Sequence, residues 1–116
     1  KAQGDDAVHR LINRGLEGTT VTAVLIGSET ANRKYVKYEI DQSIERGNGL
    51  LGVYIHDLKD QRGYGTSQGD NPFDRLTWTR NQQKLSTTYR TYYWSRDSGY
   101  SNFGKWVEDA AIAAGR

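Results

Sequence analysis

The sequence contains no cysteine and no methionine, and proline occurs once. Without cysteine, the chain has neither a disulfide framework nor thiolate or cysteine–zinc chemistry. No apolar run comes near the length needed to cross a bilayer, and no signal-peptide pattern is visible. Because translation starts at methionine, we expect this sequence to be a processed, truncated or partial chain.

No region of the chain concentrates charge of one sign. Sixteen lysines and arginines against fourteen aspartates and glutamates give a net charge of +2, and the two signs are mixed along the sequence. No basic block stands out, so nucleic-acid binding has no electrostatic support. The two histidines are isolated and the carboxylates are scattered without metal-ligand spacing, so the sequence predicts no metal site.

The 116 residues predict a single domain over residues 1–116. Apolar residues recur at helical spacing in some segments and cluster into β-branched runs in others. Glycine and polar residues separate these segments. The predicted elements are a helix that starts at Asp5 or Asp6 and ends near Gly18, a strand at 19–26, a helix at 32–46, a strand at 50–58, a loop at 59–72, a strand at 85–94 and a helix capped by Ser101 or Asn102.

The alternation of helices and strands predicts an α/β domain, with a mostly parallel sheet and helices on both of its faces. The mixed polarity of residues 85–94 predicts a third strand at an edge of the sheet or in a half-exposed position. A sheet of this kind usually has about four to six strands, whereas this sequence contains three and begins with a helix. We therefore expect the first part of the domain to be missing from the chain; the alternative is a smaller domain that a partner completes.

Two blocks of the sequence resemble a known family. Residues 20–60, TVTAVLIGSETANRKYVKYEIDQSIERGNGLLGVYIHDLKD, and residues 92–115, with YYW followed by GYSNFGKWVEDAAIAAG, are similar to the TIR-like domain family. This family includes the TIR subunit of Thoeris anti-phage defence systems. The resemblance implies a flavodoxin-like, three-layer α/β sandwich. It also implies that the chain corresponds to the C-terminal two-thirds of the domain and lacks its first strands.

One glutamate in the second predicted helix is the candidate catalytic residue. TIR domains that hydrolyse or cyclise NAD carry a glutamate in a W-x-x-x-E-like pattern on this helix, and YVKYE at residues 35–39 resembles it. The resemblance implies that Glu39 is catalytic and that Tyr35, in place of the tryptophan, contacts the substrate. At about 100° per residue, Glu39 flanks the apolar face formed by Val36 and Ile40, so we expect its carboxylate to be partly desolvated.

Further candidate substrate-binding residues follow the first two predicted strands. Ser28 and Glu29 leave the first strand in a turn, and His56 follows the apolar part of the second. Ligands of open α/β sheets bind outside the carboxyl ends of the strands, where these side chains are expected to lie. The alternatives are local turn hydrogen bonds for Ser28 and Glu29 and a structural role for His56. His9, on the first helix, is predicted to face solvent.

Three functions are compatible with these residues. The resemblance implies a cytoplasmic TIR-type NAD glycohydrolase or cyclase, with NAD as substrate and no cofactor, that makes an ADP-ribose-type signal for a separate effector protein. The second hypothesis is a non-catalytic module that acts by TIR–TIR association into homo-oligomers. The third, a receiver-like or flavodoxin-like signalling domain, is the weakest, because Gly27 and Ser28 stand where a receiver needs a phosphoacceptor aspartate.

Overall fold

A computed structural model describes residues 5–58 and 65–115 of the chain. Within these ranges, helices and strands follow one another in the predicted order. The helices are α1 (Asp5–Leu16), α2 (Lys34–Glu45) and α3 (Gly99–Ala113), and the strands are β1 (Val21–Ile26), β2 (Gly49–Tyr54) and β3 (Thr91–Tyr93). Among the described residues, no helix has the length and apolar character needed to span a bilayer.

The three strands form one parallel sheet in the order β1–β2–β3. β2 lies in the centre, where its Gly49 pairs with Val21 of β1 and its Gly52 pairs with Thr91 of β3. All six residues of β2 are buried, as expected of a parallel strand that is covered on both faces. β3 lies at one edge of this sheet and its three residues are partly buried, in agreement with the predicted edge or half-exposed position. β1 lies at the other edge, and no described strand pairs with its outer side.

Both faces of the sheet are covered by helices. Successive side chains of a strand point to opposite faces, so Leu51 and Val53 pack with α1 and α3 in a core that also contains Trp106. Leu50 and Tyr54 point the other way and pack with the apolar face of α2. The result is a three-layer α/β sandwich, which confirms the fold class predicted from the sequence.

A close approach between backbones holds α3 against the sheet. A Cβ atom built on Gly49, the first residue of β2, would lie 2.6 Å from the carbonyl oxygen of Ala110 in α3. Glycine is required here because a helix backbone cannot move aside in the way that a flexible side chain can. Gly104, in the middle of α3, instead faces open space.

The third predicted strand is much shorter than expected. Only residues 91–93 of the predicted 85–94 pair with the sheet, and residues 85–87 form a short 3-10 helix. The N–H of Tyr89 donates to the carbonyl of Leu85 (3.0 Å), so the chain turns at this point. The turn lets both side chains reach the core on the α2 side, and this packing outweighs the strand propensity of the threonines and tyrosines.

The predicted start of α3 is also wrong. The helix begins at Gly99 without a Ser101 or Asn102 cap, and Ser98 precedes it with a left-handed backbone φ of 56°. Gly99 packs directly on the ring of Trp94, where a Cβ atom has no room. This contact, rather than a side-chain cap, sets the start of the helix.

The second predicted strand ends earlier than expected, at Tyr54. The next four residues form a turn in which the N–H of Leu58 donates to the carbonyl of Ile55 (3.0 Å). Of the loop predicted for residues 59–72, residues 59–64 lie outside the described residues. Residues 65–71 contain neither helix nor strand, as predicted.

We predict opposite effects for a methyl group added at two glycines. Gly49→Ala should lower the free energy of unfolding by about 1–3 kcal/mol, because its Cβ meets the α3 backbone. Gly104→Ala should raise it by about 0.5–1 kcal/mol, because alanine favours the helix and the site is open. Urea unfolding of both variants checks this pair. A stable Gly49→Ala variant would contradict the contact with Ala110.

Candidate functional site

A cleft of about 540 Å³ follows the outer edge of β1, between α1 and α2. Four consecutive residues of β1, 22–25, form its floor, and the β1–α2 turn and the start of α2 form one wall. Its volume lies within the range of small-molecule sites, roughly 300–1,000 Å³. The residues that line it are His9, Thr22, Ala23, Val24, Leu25, Gly27, Thr30, Arg33, Tyr35, Val36, Glu39 and Ile55.

The turn between β1 and α2 contains several hydrogen bonds of its own. The hydroxyl of Thr30 donates to the carbonyl of Leu25 (3.2 Å) and accepts from the N–H of Gly27 (2.8 Å). Asn32 Nδ2 donates to Glu29 Oε1 (2.9 Å). These bonds contribute to the direction in which the chain enters α2.

Two of the predicted site residues come together in the cleft. Glu39 and Tyr35 lie about one turn apart on α2, and both line the cleft. Buried Val36 and Ile40 fix the helix against the sheet and thereby set the direction of the two side chains. Tyr35 is 58% exposed and Glu39 is also exposed, so both are accessible to a ligand.

The predicted partial desolvation of the Glu39 carboxylate is wrong, since Glu39 is exposed. The cleft is open along the outer edge of β1, where no described residue adds a further strand, and water reaches the carboxylate. Ser43, one turn further along α2, is instead buried, and its hydroxyl donates to Thr22 Oγ1 (2.9 Å). Within residues 5–58 and 65–115, no hydrogen bond or ion pair engages Glu39, so its oxygens are available to a bound molecule.

The sequence analysis did not predict two basic side chains that line the cleft. Arg33 directly precedes α2, and His9 lies on α1, where it is exposed as predicted. With Glu39, they give the cleft ionisable groups of both signs. The position of Arg33, between the strand-end turn and Tyr35, was a usable signal, whereas no sequence feature connects His9 with β1. In the described part of the chain, no group of three or more histidine, aspartate and glutamate side chains is placed to hold a metal ion.

Ser28 and Glu29 do not line the cleft. Glu29 is exposed and accepts the hydrogen bond from Asn32, so local turn bonding accounts for the position of its carboxylate. The backbone of Gly69 packs so closely on the carbonyl oxygens of Gly27 and Ser28 that a Cβ atom has no room there. The role of Ser28 and Glu29 in substrate binding stays a prediction.

His56 lies at the carboxyl end of β2, beside β3 and outside the lining of the cleft. Its ring centroid is 6.0 Å from that of Tyr54 and 6.2 Å from that of Tyr93, and the two tyrosine rings stack at 4.5 Å. The Nδ1 atom of His56 is buried and has no hydrogen-bond partner among the described residues. His56 is thus part of an aromatic cluster, and its role in substrate binding stays a prediction.

The same end of the sheet carries a carboxylate that is held by the backbone. Asp97 Oδ2 accepts from the N–H of Tyr93 (2.8 Å), and Oδ1 accepts from Arg96 Nε (3.3 Å). The hydrogen bond from Tyr93, together with the Arg96 guanidinium, outweighs the opposing effect of burial and holds the pKa of the Asp97 carboxyl below its ordinary value. This carboxylate therefore stabilises the connection between β3 and α3 in its ionised form.

The chain is thus a three-layer α/β domain with a cleft of small-molecule size at the edge of its sheet. Residues 1–60 match the family described as Thoeris protein ThsB, TIR-like domain. The chain is 38% identical over 145 residues to a protein of Bacillus cereus (strain MSX-D12) named "Putative cyclic ADP-D-ribose synthase ThsB1", and the match covers 92% of this chain and 76% of that protein. The chain therefore belongs to the family of Thoeris ThsB TIR-like domains, which confirms the resemblance found in the sequence.

The family match includes the whole of the cleft. Residues 1–60 contain α1, β1, α2 and β2, and every residue that lines the cleft lies between His9 and Ile55. The segment that matches the family is thus the segment that builds the candidate site.

We predict that Asp97→Asn lowers the free energy of unfolding at pH 7 by on the order of 1 kcal/mol, since it removes charge from a hydrogen-bonded carboxylate. The pKa of Asp97 is lower in the folded than in the unfolded state, so its contribution is complete above the unfolded pKa of about 3.9 and is lost as the pH falls through the folded value. Urea unfolding from pH 7 to pH 3 should show the deficit shrinking with acid. A deficit that stays constant over this pH range would contradict this.

Proposed function

We propose that this chain processes NAD in bacterial anti-phage defence, as an ADP-ribosyl cyclase whose reaction takes place in the cleft beside β1. The observation that supports this proposal most strongly is the position of Glu39, an accessible carboxylate in a cleft large enough for a small molecule. Membership of the Thoeris ThsB family supports the role in defence. The name of the Bacillus cereus relative, a cyclic ADP-D-ribose synthase, supports cyclisation.

The proposed reaction begins with cleavage of the bond between nicotinamide and ribose. The bonding electron pair leaves with the nicotinamide nitrogen, which becomes neutral, and positive charge develops on the ribose carbon and ring oxygen. A carboxylate held beside the ribose stabilises this oxocarbenium-like charge, as it does in glycoside hydrolysis. Because the leaving nicotinamide is already cationic, the step needs no strong general acid. Glu39 is the residue that we assign to this role.

The second step decides between a cyclase and a hydrolase. In a cyclase, a hydroxyl of the same substrate attacks the ribose carbon, a new C–O bond forms and the hydroxyl proton is lost to a base such as the Glu39 carboxylate. In a hydrolase, water attacks instead and linear ADP-ribose results. Cyclisation requires a cleft that holds the two ends of one substrate near each other.

Other side chains of the cleft suit further parts of NAD. The exposed ring of Tyr35 offers a face for stacking on the nicotinamide. The Arg33 guanidinium is suited to the diphosphate, since arginine pairs with phosphate oxygens through two parallel N–H donors. Ser28, Glu29 and His56 lie outside the cleft lining. In this proposal they contact at most the outer parts of the substrate.

NAD is a substrate in this proposal, and no cofactor takes part. The cyclic product is a diffusible signal that reaches a separate effector protein, so no direct contact between the two proteins is required. The reaction belongs in the cytoplasm, because NAD is held inside the cell. Homo-oligomers through TIR–TIR contacts are compatible with the open positions of Tyr38, Tyr100 and Ile112, which are 64%, 70% and 65% exposed.

The same exposed side chains favour a second candidate function, a non-catalytic module that acts by self-association. Single exposed apolar residues are common on monomeric proteins, whereas a carboxylate and an aromatic residue in one cleft are more specific. We therefore place the enzyme first. The two functions differ in whether the protein consumes NAD.

We predict that Glu39→Gln lowers NAD consumption by at least about 100-fold, because the amide keeps the size of the side chain but loses the charge that stabilises the ribose cation. The matched control is Glu45→Gln, which changes an exposed glutamate on the same helix outside the cleft lining and should leave the rate unchanged. NAD loss and products are followed by mass spectrometry, where the cyclic product is lighter than ADP-ribose by one water.

Lysate from phage-infected cells is included to supply a trigger. A folded wild-type protein that consumes no NAD with or without lysate would contradict the enzyme and favour the interaction module. Equal rates for wild type and Glu39→Gln would contradict the assignment of Glu39. Linear ADP-ribose as the sole product would make the protein a hydrolase.

A further inference from the structure

Arg75 joins two loops that are distant in sequence. One end of its guanidinium, Nη1, donates to Asn32 Oδ1 (2.6 Å) and contacts the carbonyl of Ala31 (3.5 Å). The other, Nη2, donates to Asp70 Oδ2 (2.5 Å). The planar guanidinium thus bridges the β1–α2 turn and the loop before Arg75, a geometry that a lysine ammonium cannot reproduce.

The bridge continues into the turn that borders the cleft. Asn32 accepts from Arg75 through Oδ1 and donates through Nδ2 to Glu29 (2.9 Å). One residue further on is Arg33, and three further on is Tyr35, both of which line the cleft. A movement of Asn32 therefore changes the direction in which both cleft residues leave the turn.

The segment that carries Arg75 is itself anchored. Phe73 is fully buried in the core on the α2 side, and its N–H donates to Asn71 Oδ1 (2.9 Å). Asn71 Nδ2 donates to Thr91 Oγ1 at the start of β3 (2.9 Å). Arg75 therefore extends from a fixed base towards the turn.

A second contact joins the same two loops. The backbone of Gly69 packs against the carbonyl oxygens of Gly27 and Ser28 without room for a Cβ atom. The β1–α2 turn is thus held at its start by Gly69 and at its end by Arg75.

We propose that Arg75 is a positioning residue for the cleft: its bridge from Asp70 to Asn32 holds the β1–α2 turn in the shape that directs Arg33 and Tyr35 towards substrate. This inference rests on the proposed NAD reaction. Arg75 lines a separate groove on the other side of α2 and acts through Asn32 rather than on the substrate.

The exposure of the bridge argues for positioning over stability. The Arg75 and Asp70 side chains are 45% and 68% exposed, and exposed ion pairs contribute little to the free energy of unfolding. Both hydrophobic clusters of the sandwich form without these two residues. Loss of the bridge should therefore alter the turn and leave the global fold in place.

The test compares Arg75→Gln and Arg75→Lys with the control Arg80→Gln, which removes another exposed arginine from the same region, stacked on Trp78. Arg75→Gln should raise KM for NAD about tenfold, because Arg33 and Tyr35, which contact the substrate in this proposal, are no longer held towards it. The KM of Arg75→Lys should lie between those of Arg75→Gln and wild type, since lysine keeps the positive charge but lacks the planar guanidinium. The control should retain the wild-type KM, and all three should unfold near the wild-type temperature.

A loss of activity that appears only in kcat, with unchanged KM and a lower unfolding temperature, would overturn the proposal in favour of a general structural role. So would a wild-type KM in Arg75→Gln.

Amide hydrogen exchange separates this inference from the proposed function. In the turn, the N–H of Asn32 donates to the Glu29 carbonyl (3.0 Å) and that of Arg33 to the Thr30 carbonyl (3.1 Å). These amides should exchange about fivefold faster in Arg75→Gln, with β2 amides unchanged, because the turn loses its outer support. Unchanged exchange at residues 32 and 33 would overturn the bridge whether or not the protein consumes NAD. If wild type consumes no NAD, the proposed function fails, and the exchange result alone decides whether Arg75 holds the turn.

Discussion

Parallel pairing of β1 with β2 is the interaction on which the rest of the structure depends. It sets Ile26 beside Tyr54, so both strands end at the same edge of the sheet. Parallel neighbours need a crossover connection, and α2 supplies it by packing across one face through Val36 and Ile40. The helix that satisfies this topological requirement is also the helix that carries Glu39. Its position beside the outer edge of β1 is therefore a consequence of how the sheet is connected.

An exposed catalytic carboxylate is consistent with the proposed chemistry when the substrate itself covers the site. Glu39 lies in an open cleft, with Tyr35 on the same helix and residues 22–25 of β1 beneath. A ligand seated against these groups displaces water from the carboxylate, which strengthens its interaction with the developing positive charge. The walls of the cleft must then have the right shape before the substrate binds. The β1–α2 turn, which Arg75 supports, is the wall whose shape depends most on loops.

Much of this arrangement was predictable because it follows from local pattern. The apolar runs in residues 19–26 and 50–58 predicted two buried parallel strands, of which β2 is buried throughout and β1 only in part, and the helical period of α2 placed Glu39 beside its apolar face. The strand predicted for residues 85–94 was too long because threonine and tyrosine favour strands, whereas the chain turns here and packs Leu85 into the core. The contact of Arg75 with Asn32 spans 43 residues between two irregular segments, and no periodic signal marks such a pair. The sequence analysis did not predict the exposure of Glu39, because this exposure depends on whether a further strand lies along the outer edge of β1.

The central claim is that NAD binds along the outer edge of β1 with its nicotinamide ribose at Glu39. A crystal structure of the Glu39→Gln protein with NAD tests it most directly, because the variant should hold the substrate without consuming it. We predict that the ribose lies within about 3.5 Å of the residue 39 side chain, with the nicotinamide against Tyr35. NAD bound instead at the carboxyl end of β2 and β3, beside His56 and Tyr93, would contradict the assignment of the cleft and of Glu39.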